Sequence, residues 1–96
     1  MPVKRSPGQC KLPGKGIRSL DEFYDEISRK LNFPDHFGRN LDALWDILTT
    51  DVEGPVELFW EDSAASRSSM GKNFDTVSAL LRDVEKERHD FHVIFR

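Results

Sequence analysis

Ninety-six residues, 38% of them hydrophobic and 10% aromatic, supply enough apolar material for one core and exclude a second globular domain. Seven Phe and two Trp exclude a disordered chain despite a charged fraction of 32%. A lone cysteine, Cys10, excludes an internal disulfide, and a net charge of -3 is too small to name a partner by itself.

The distribution of charge says more than its sum. Residues 1–18 hold Lys4, Arg5, Lys11, Lys15 and Arg18 with no acid, whereas residues 35–54 hold Asp35, Asp42, Asp46, Asp51 and Glu53 against Arg39 alone. The opening stretch MPVKRSPGQCKLPGKG has no apolar run of secretory length, and no segment has enough consecutive apolar residues to span a bilayer. The expectation is therefore a cytoplasmic, non-membrane protein with one domain over residues 1–96, of which 1–9 form a flexible basic leader. Five dispersed cations fit a solubilising leader better than a nucleic-acid surface. No Cys and His spacing resembles a zinc site, so neither metal nor cofactor is expected.

In chain order, a short strand is expected near Cys10 to Leu12, after the Pro-, Gly- and Lys-rich start. Ser19 followed by Glu22 is a capping-box pattern, and Leu20, Phe23, Tyr24, Ile27 and Leu31 recur at helical spacing until Asn32 and Pro34 end the first helix. Pro34 and Gly38 make the intervening PDHFGR a shaped loop. Asn40 then caps a second helix whose apolar stripe is Leu41, Leu44, Trp45, Leu48 and Val52, with Asp42 and Asp46 off the stripe.

After Gly54 and Pro55, VELFW reads as a central strand, with Trp60 in the core. The serine-rich EDSAASRSSMGKN holds a helical turn or remains loop, and nothing in it decides between them. Asn73 or Asp75 is expected to cap a long helix carrying Phe74, Val77, Leu81 and Val84, and FHVIF closes the chain as a strand. Strands joined through helices must run in the same direction, which predicts an α/β fold with a small three-stranded parallel sheet and helices packed against it.

The chemistry centres on Asp42 and Asp46. One helical turn apart, their carboxylates emerge from the same side, and two like charges there cost stability that a Lys or Arg would return. A partner that supplies positive charge accounts for the pair. A solvated acidic face accounts equally well for Asp42, because the helix dipole favours an acid in the first turn, but Asp46 lies beyond that influence. Asp35, His36, Phe37 and Gly38 precede the helix in a loop, a common location for recognition, although a lone histidine is more often an ordinary surface or capping residue.

The stretch FPDHFGRNLDALWDILTTDVEGPVELFW resembles the signature region of the barstar family of ribonuclease inhibitors, most densely over NLDALWD, residues 40–46. Gly38, Pro55, Trp60, the helix holding Arg82 and Asp83, and the closing strand fall in register, so about residues 10–96 are covered. The resemblance implies three parallel strands with packed helices. It also implies that the second helix and its loop enter the active site of an extracellular-type, guanyl-specific ribonuclease resembling barnase, with Asp42 and Asp46 in place of RNA phosphates. Asp46 matches the central acidic contact, Asp42 a second, Asp83 a third from a later helix, and His36, Gly38, Asn40 and Trp45 the contacts around them. His36 stands where a Tyr is familiar in the family, Asp51 where its best-known member has Trp, and Asp83 where that member has Glu.

A ribonuclease site gathers Arg, Lys and His to hold phosphate, and carboxylates make charge-assisted bonds to the same groups. The free protein is expected to be a monomer. One alternative is a similar interaction module for a different nuclease, toxin or regulatory protein, because an acidic face does not identify its partner. Another is an enzyme using Asp42, Asp46 and His36 with a divalent metal, but two carboxylates without a ligand framework, phosphate loop or nucleophile and base do not define a catalyst.

Overall fold

The computed structural model describes residues 8–96. Its strands β1 (Gly8–Pro13), β2 (Val56–Glu61) and β3 (Phe91–Phe95) form one parallel sheet in the order β1-β2-β3. The helices are α1 (Leu20–Lys30), α2 (Leu41–Asp46), α3 (Ser63–Met70) and α4 (Lys72–Glu87). The expected α/β architecture is therefore present. Of the leader expected over residues 1–9, residues 1–7 lie outside the described residues, and Gly8 and Gln9 open β1.

The sheet is covered on one face. Cys10 and Leu12, Val56, Leu58 and Trp60, and Phe91 and Val93 are buried at alternate positions, whereas Gln9, Lys11 and His92 between them are exposed. Helical spacing places Phe23, Tyr24 and Ile27 of α1, and Phe74, Val77, Leu81 and Val84 of α4, against the buried face. Trp60 sits at the centre, stacked on Phe23 with ring centroids 5.2 Å apart and meeting the edge of Phe74 at 5.0 Å. Its indole N–H donates to the buried Ser66 Oγ at 2.9 Å, and the Ser66 hydroxyl donates to the Gly14 carbonyl at 2.8 Å. The Trp60 N–H, the Ser66 hydroxyl and the Gly14 carbonyl thereby satisfy one another. Gly14 leaves no room for a side chain, since a Cβ would collide with the Glu61 and Asp62 carbonyl oxygens.

Ser19 caps α1 as its sequence implies, accepting from Glu22 N at 3.1 Å. Glu22 reaches back one residue further than the usual box, to Arg18 N at 2.8 Å. The undecided serine-rich segment is α3, held by its buried Ser66 and Met70. The expected caps of α4 are a correction. Neither Asn73 nor Asp75 caps it, because α3 and α4 are separated by Gly71 alone. Gly71 makes the reversal with φ of 60° and ψ of -129°, a conformation costly for any other residue.

The exposed edge of β3 is occupied from α4. Glu85 accepts from Val93 N at 2.8 Å, while Arg82 donates to Val93 O at 3.2 Å and pairs with Glu85 at 3.1 Å. No helix among the described residues is long and apolar enough to cross a membrane.

Candidate functional site

Tyr24, Phe33 and Phe37 form the foundation of the loop before α2. Phe37 is half-buried and meets the rings of Phe33 and Tyr24 edge-on at 5.0 and 5.6 Å. A turn closed by Phe37 N to Pro34 O at 3.0 Å leaves Asp35 and His36 exposed at its tip. Asn40 is held from both ends: its Oδ1 accepts from Ala43 N at 2.8 Å, and its Nδ2 donates to Gly38 O at 3.1 Å. A Cβ at Gly38 would press on Asn40 Nδ2 at 3.1 Å, so a small residue there keeps the cap intact.

On α2, Leu44 is fully buried and Leu41 and Trp45 pack partly against the core, which turns Asp42 and Asp46 outward to solvent. The expected helix does not run on regularly to Val52. Beyond Asp46 it widens into a π turn over Ile47–Asp51, closed by Val52 N to Ile47 O at 3.0 Å. Hydroxyls take up carbonyls in the widened turn: Thr49 donates to Trp45 O at 2.7 Å, and Thr50 to Asp46 O. The turn buries Ile47, which the regular stripe had omitted, and leaves Asp51 exposed next to the acid pair.

Arg39, the only Lys or Arg among residues 35–54, pairs outside this acid cluster. Its guanidinium lies 2.9 Å from Asp21 and 3.0 Å from Asp25 on α1, and over the Tyr24 ring at 5.8 Å. None of the ion pairs among the described residues engages Asp35, Asp42, Asp46, Asp51 or Glu53. Asp83 is also exposed, on the helix against which α2 packs, but it has Lys86 at 3.9 Å.

A second arginine, Arg88, holds this segment from beneath. Its Nη1 donates to Leu48 O at 2.7 Å and Val52 O at 2.8 Å, while Nε and Nη2 donate to the two carboxylate oxygens of Asp90 at 2.8 and 2.9 Å. These bonds hold the Asp90 carboxyl below the usual carboxylate range. Sequence reading gave Arg88 no role, since its carbonyl partners lie 36 and 40 residues away.

The site is therefore a solvent-facing ridge, negative along Asp42, Asp46 and Asp51, fixed at one end by Asn40 and at the other by Arg88. A depression of about 400 Å³ beside its start is bounded by Leu20, Tyr24, Arg39, Asn40, Leu41 and Asp42. Its chemistry is that of an acceptor surface for cationic side chains.

The family description "Barstar (barnase inhibitor)" matches residues 9–96. The chain belongs to the barstar family. A Bacillus subtilis (strain 168) protein named "Putative ribonuclease inhibitor YrdF" is 34% identical over 79 residues, which cover 82% of this chain and 87% of that relative. The three parallel strands and four packed helices are consistent with a barstar-family fold, and NLDALWD supplies the cap, the start and the acid pair of α2.

Proposed function

We propose that this barstar-family chain is a protein inhibitor of a microbial, extracellular-type guanyl-specific ribonuclease. The loop from Asp35 to Asn40 and α2 close the enzyme's active site, and Asp42 and Asp46 take the places of RNA phosphates. The observation that carries this reading is the exposed Asp42 and Asp46 pair, with Arg39 committed to Asp21 and Asp25. His36, Phe37, Gly38 and Trp45 surround the acid pair in the contact, and Asp83 adds a carboxylate from α4. The chain acts by binding, without catalysis of its own, as a free monomer in the cytoplasm. Membership of the family and the printed name of the Bacillus subtilis relative both support an inhibitor of this class.

The exposed Asp51 stands where the family's best-known member carries Trp. It replaces apolar contact with charge, which favours electrostatic capture and a partner other than barnase itself. The test is RNA cleavage by a panel of secreted guanyl-specific ribonucleases, titrated with wild type and with Asp46→Ala. Inhibition should saturate at one inhibitor per enzyme, and Asp46→Ala should weaken it at least about tenfold, the order expected when a charge-assisted bond is lost. Undiminished cleavage by every enzyme at excess wild type rejects this target class, and equal inhibition by Asp46→Ala rejects the assigned contact.

A further inference from the structure

Arg88 lies outside the ridge of Asp42, Asp46 and Asp51, yet it commits four hydrogen bonds to the two segments that meet beneath that ridge. Its side chain is only 13% exposed. On one side are the carbonyls of Leu48 and Val52, which bracket the π turn. On the other is Asp90, whose own backbone carbonyl accepts from Val56 N at 2.7 Å and is thereby fixed to the start of β2. The guanidinium thus joins the C-terminal end of the acidic helix to the sheet. A planar fork suits this task, since it presents donors in two directions at once, which the compact ammonium of a lysine does not.

The segment it holds tends to spread. Asp42, Asp46, Asp51 and Glu53 repel one another, no cation among the described residues pairs with them, and a helix end carries partial negative charge on its carbonyls. We propose that Arg88, oriented by Asp90, is a positioning residue that holds α2 and the π turn in the conformation that docks to the cationic partner. This rests on the ribonuclease-inhibitor reading above. The residue works without touching the partner: pre-organising the carboxylates removes the ordering that binding would otherwise have to impose.

The sign of the effect separates positioning from plain electrostatics. Arg88 is a positive charge under a surface that attracts positive charge, so if it acted only through its field, removing it would tighten binding. Positioning requires the opposite. The experiment compares wild type with Arg88→Met, which retains most of the stem, and Arg88→Lys, which retains the charge but loses the fork. Affinity for a ribonuclease that wild type inhibits is measured at a temperature where circular dichroism shows each variant fully folded. Both variants should bind about tenfold more weakly, the reduction expected when the competent conformation falls to about a tenth of the population.

Hydrogen exchange on the free proteins supplies a readout independent of any partner. The Val52 amide should exchange faster in both variants, while the amides of β2 keep wild-type rates relative to global unfolding. Affinity equal to or tighter than wild type in the folded variants, or unchanged exchange at Val52, overturns the proposal. Should wild type inhibit no ribonuclease, the inhibitor reading and the docking role fall together, and exchange at Val52 still decides whether the clamp exists.

Discussion

Arg39 lies 3.0 Å from Asp25, and that pairing, with the one to Asp21, commits to α1 the only Lys or Arg within the acidic stretch of residues 35–54. The ridge keeps its negative charge as a result. Such a surface costs the free protein stability and, in the proposed role, would gain it speed of capture, so salt should act in opposite directions on the two. Raising NaCl from about 0.05 M to about 0.5 M, which shortens the screening length several-fold, should raise the urea midpoint of the free chain and slow association with a ribonuclease. A midpoint that falls with salt would mean that attractive pairs dominate the free molecule.

The acid pair itself leads to a second expectation. Asp42 and Asp46 are exposed and one turn apart, so neutralising Asp46 relieves a like-charge contact worth about 0.2–0.5 kcal/mol. Asp46→Asn should leave the unfolding free energy unchanged or raise it by that amount while inhibition declines. Urea denaturation and the cleavage assay read the two effects separately. Loss of more than about 1 kcal/mol would assign Asp46 to the fold.

The buried chain from Trp60 through Ser66 to Gly14 behaves differently. Ser66→Ala deletes both of its bonds and leaves the Trp60 N–H enclosed without a partner, while the Gly14 carbonyl keeps only the Ile17 N–H at 3.1 Å. An enclosed donor without a partner costs about 1–3 kcal/mol, so this variant should lose several times what Asp46→Asn changes. Equal midpoints for Ser66→Ala and wild type would show that water replaces the hydroxyl.

Stability should fall on both sides of neutrality. Hydrogen bonds from Arg88 hold Asp90 below its ordinary value, and Glu22 is lowered first by the Arg18 backbone N–H. Both contributions are present above the unfolded carboxylate pKa and are lost as pH falls through the folded values. Burial pushes Cys10 and Tyr24 up, so theirs is present below the unfolded pKa and is lost as pH rises through the raised values. Urea midpoints against pH should show the acid limb flattened in Asp90→Asn; an unaltered limb would remove Asp90 from the account.

Much of this was legible in the chain because it is local. Ser19, Asn40 and the spacings of Phe23 and Ile27, or of Val77, Leu81 and Val84, act within a few residues, and each element appears where those signals put it. The exposure of Asp42 and Asp46 follows from the same arithmetic. The unread features are those that distant residues decide. The serine-rich α3 is weakly amphipathic, and its buried Ser66 is fixed by Trp60 and Gly14. Periodicity continues the second helix as a regular one to Val52, whereas the turn there widens with carbonyls bound by Thr49, Thr50 and Arg88. Asn73 and Asp75 have good capping chemistry, but they fall inside a helix that Gly71 has already begun.

The bonds of Glu85 and Arg82 to Val93 bear on how the protein behaves when it is concentrated. At high protein concentration, growth of one sheet onto another is the standing hazard of an open strand edge. A strand arriving at β3 would have to displace two charged side chains from Val93 before forming its first ladder bond there. Removing both, as in Arg82→Ala combined with Glu85→Ala, should therefore appear first as turbidity on storage, ahead of any comparable loss of inhibition.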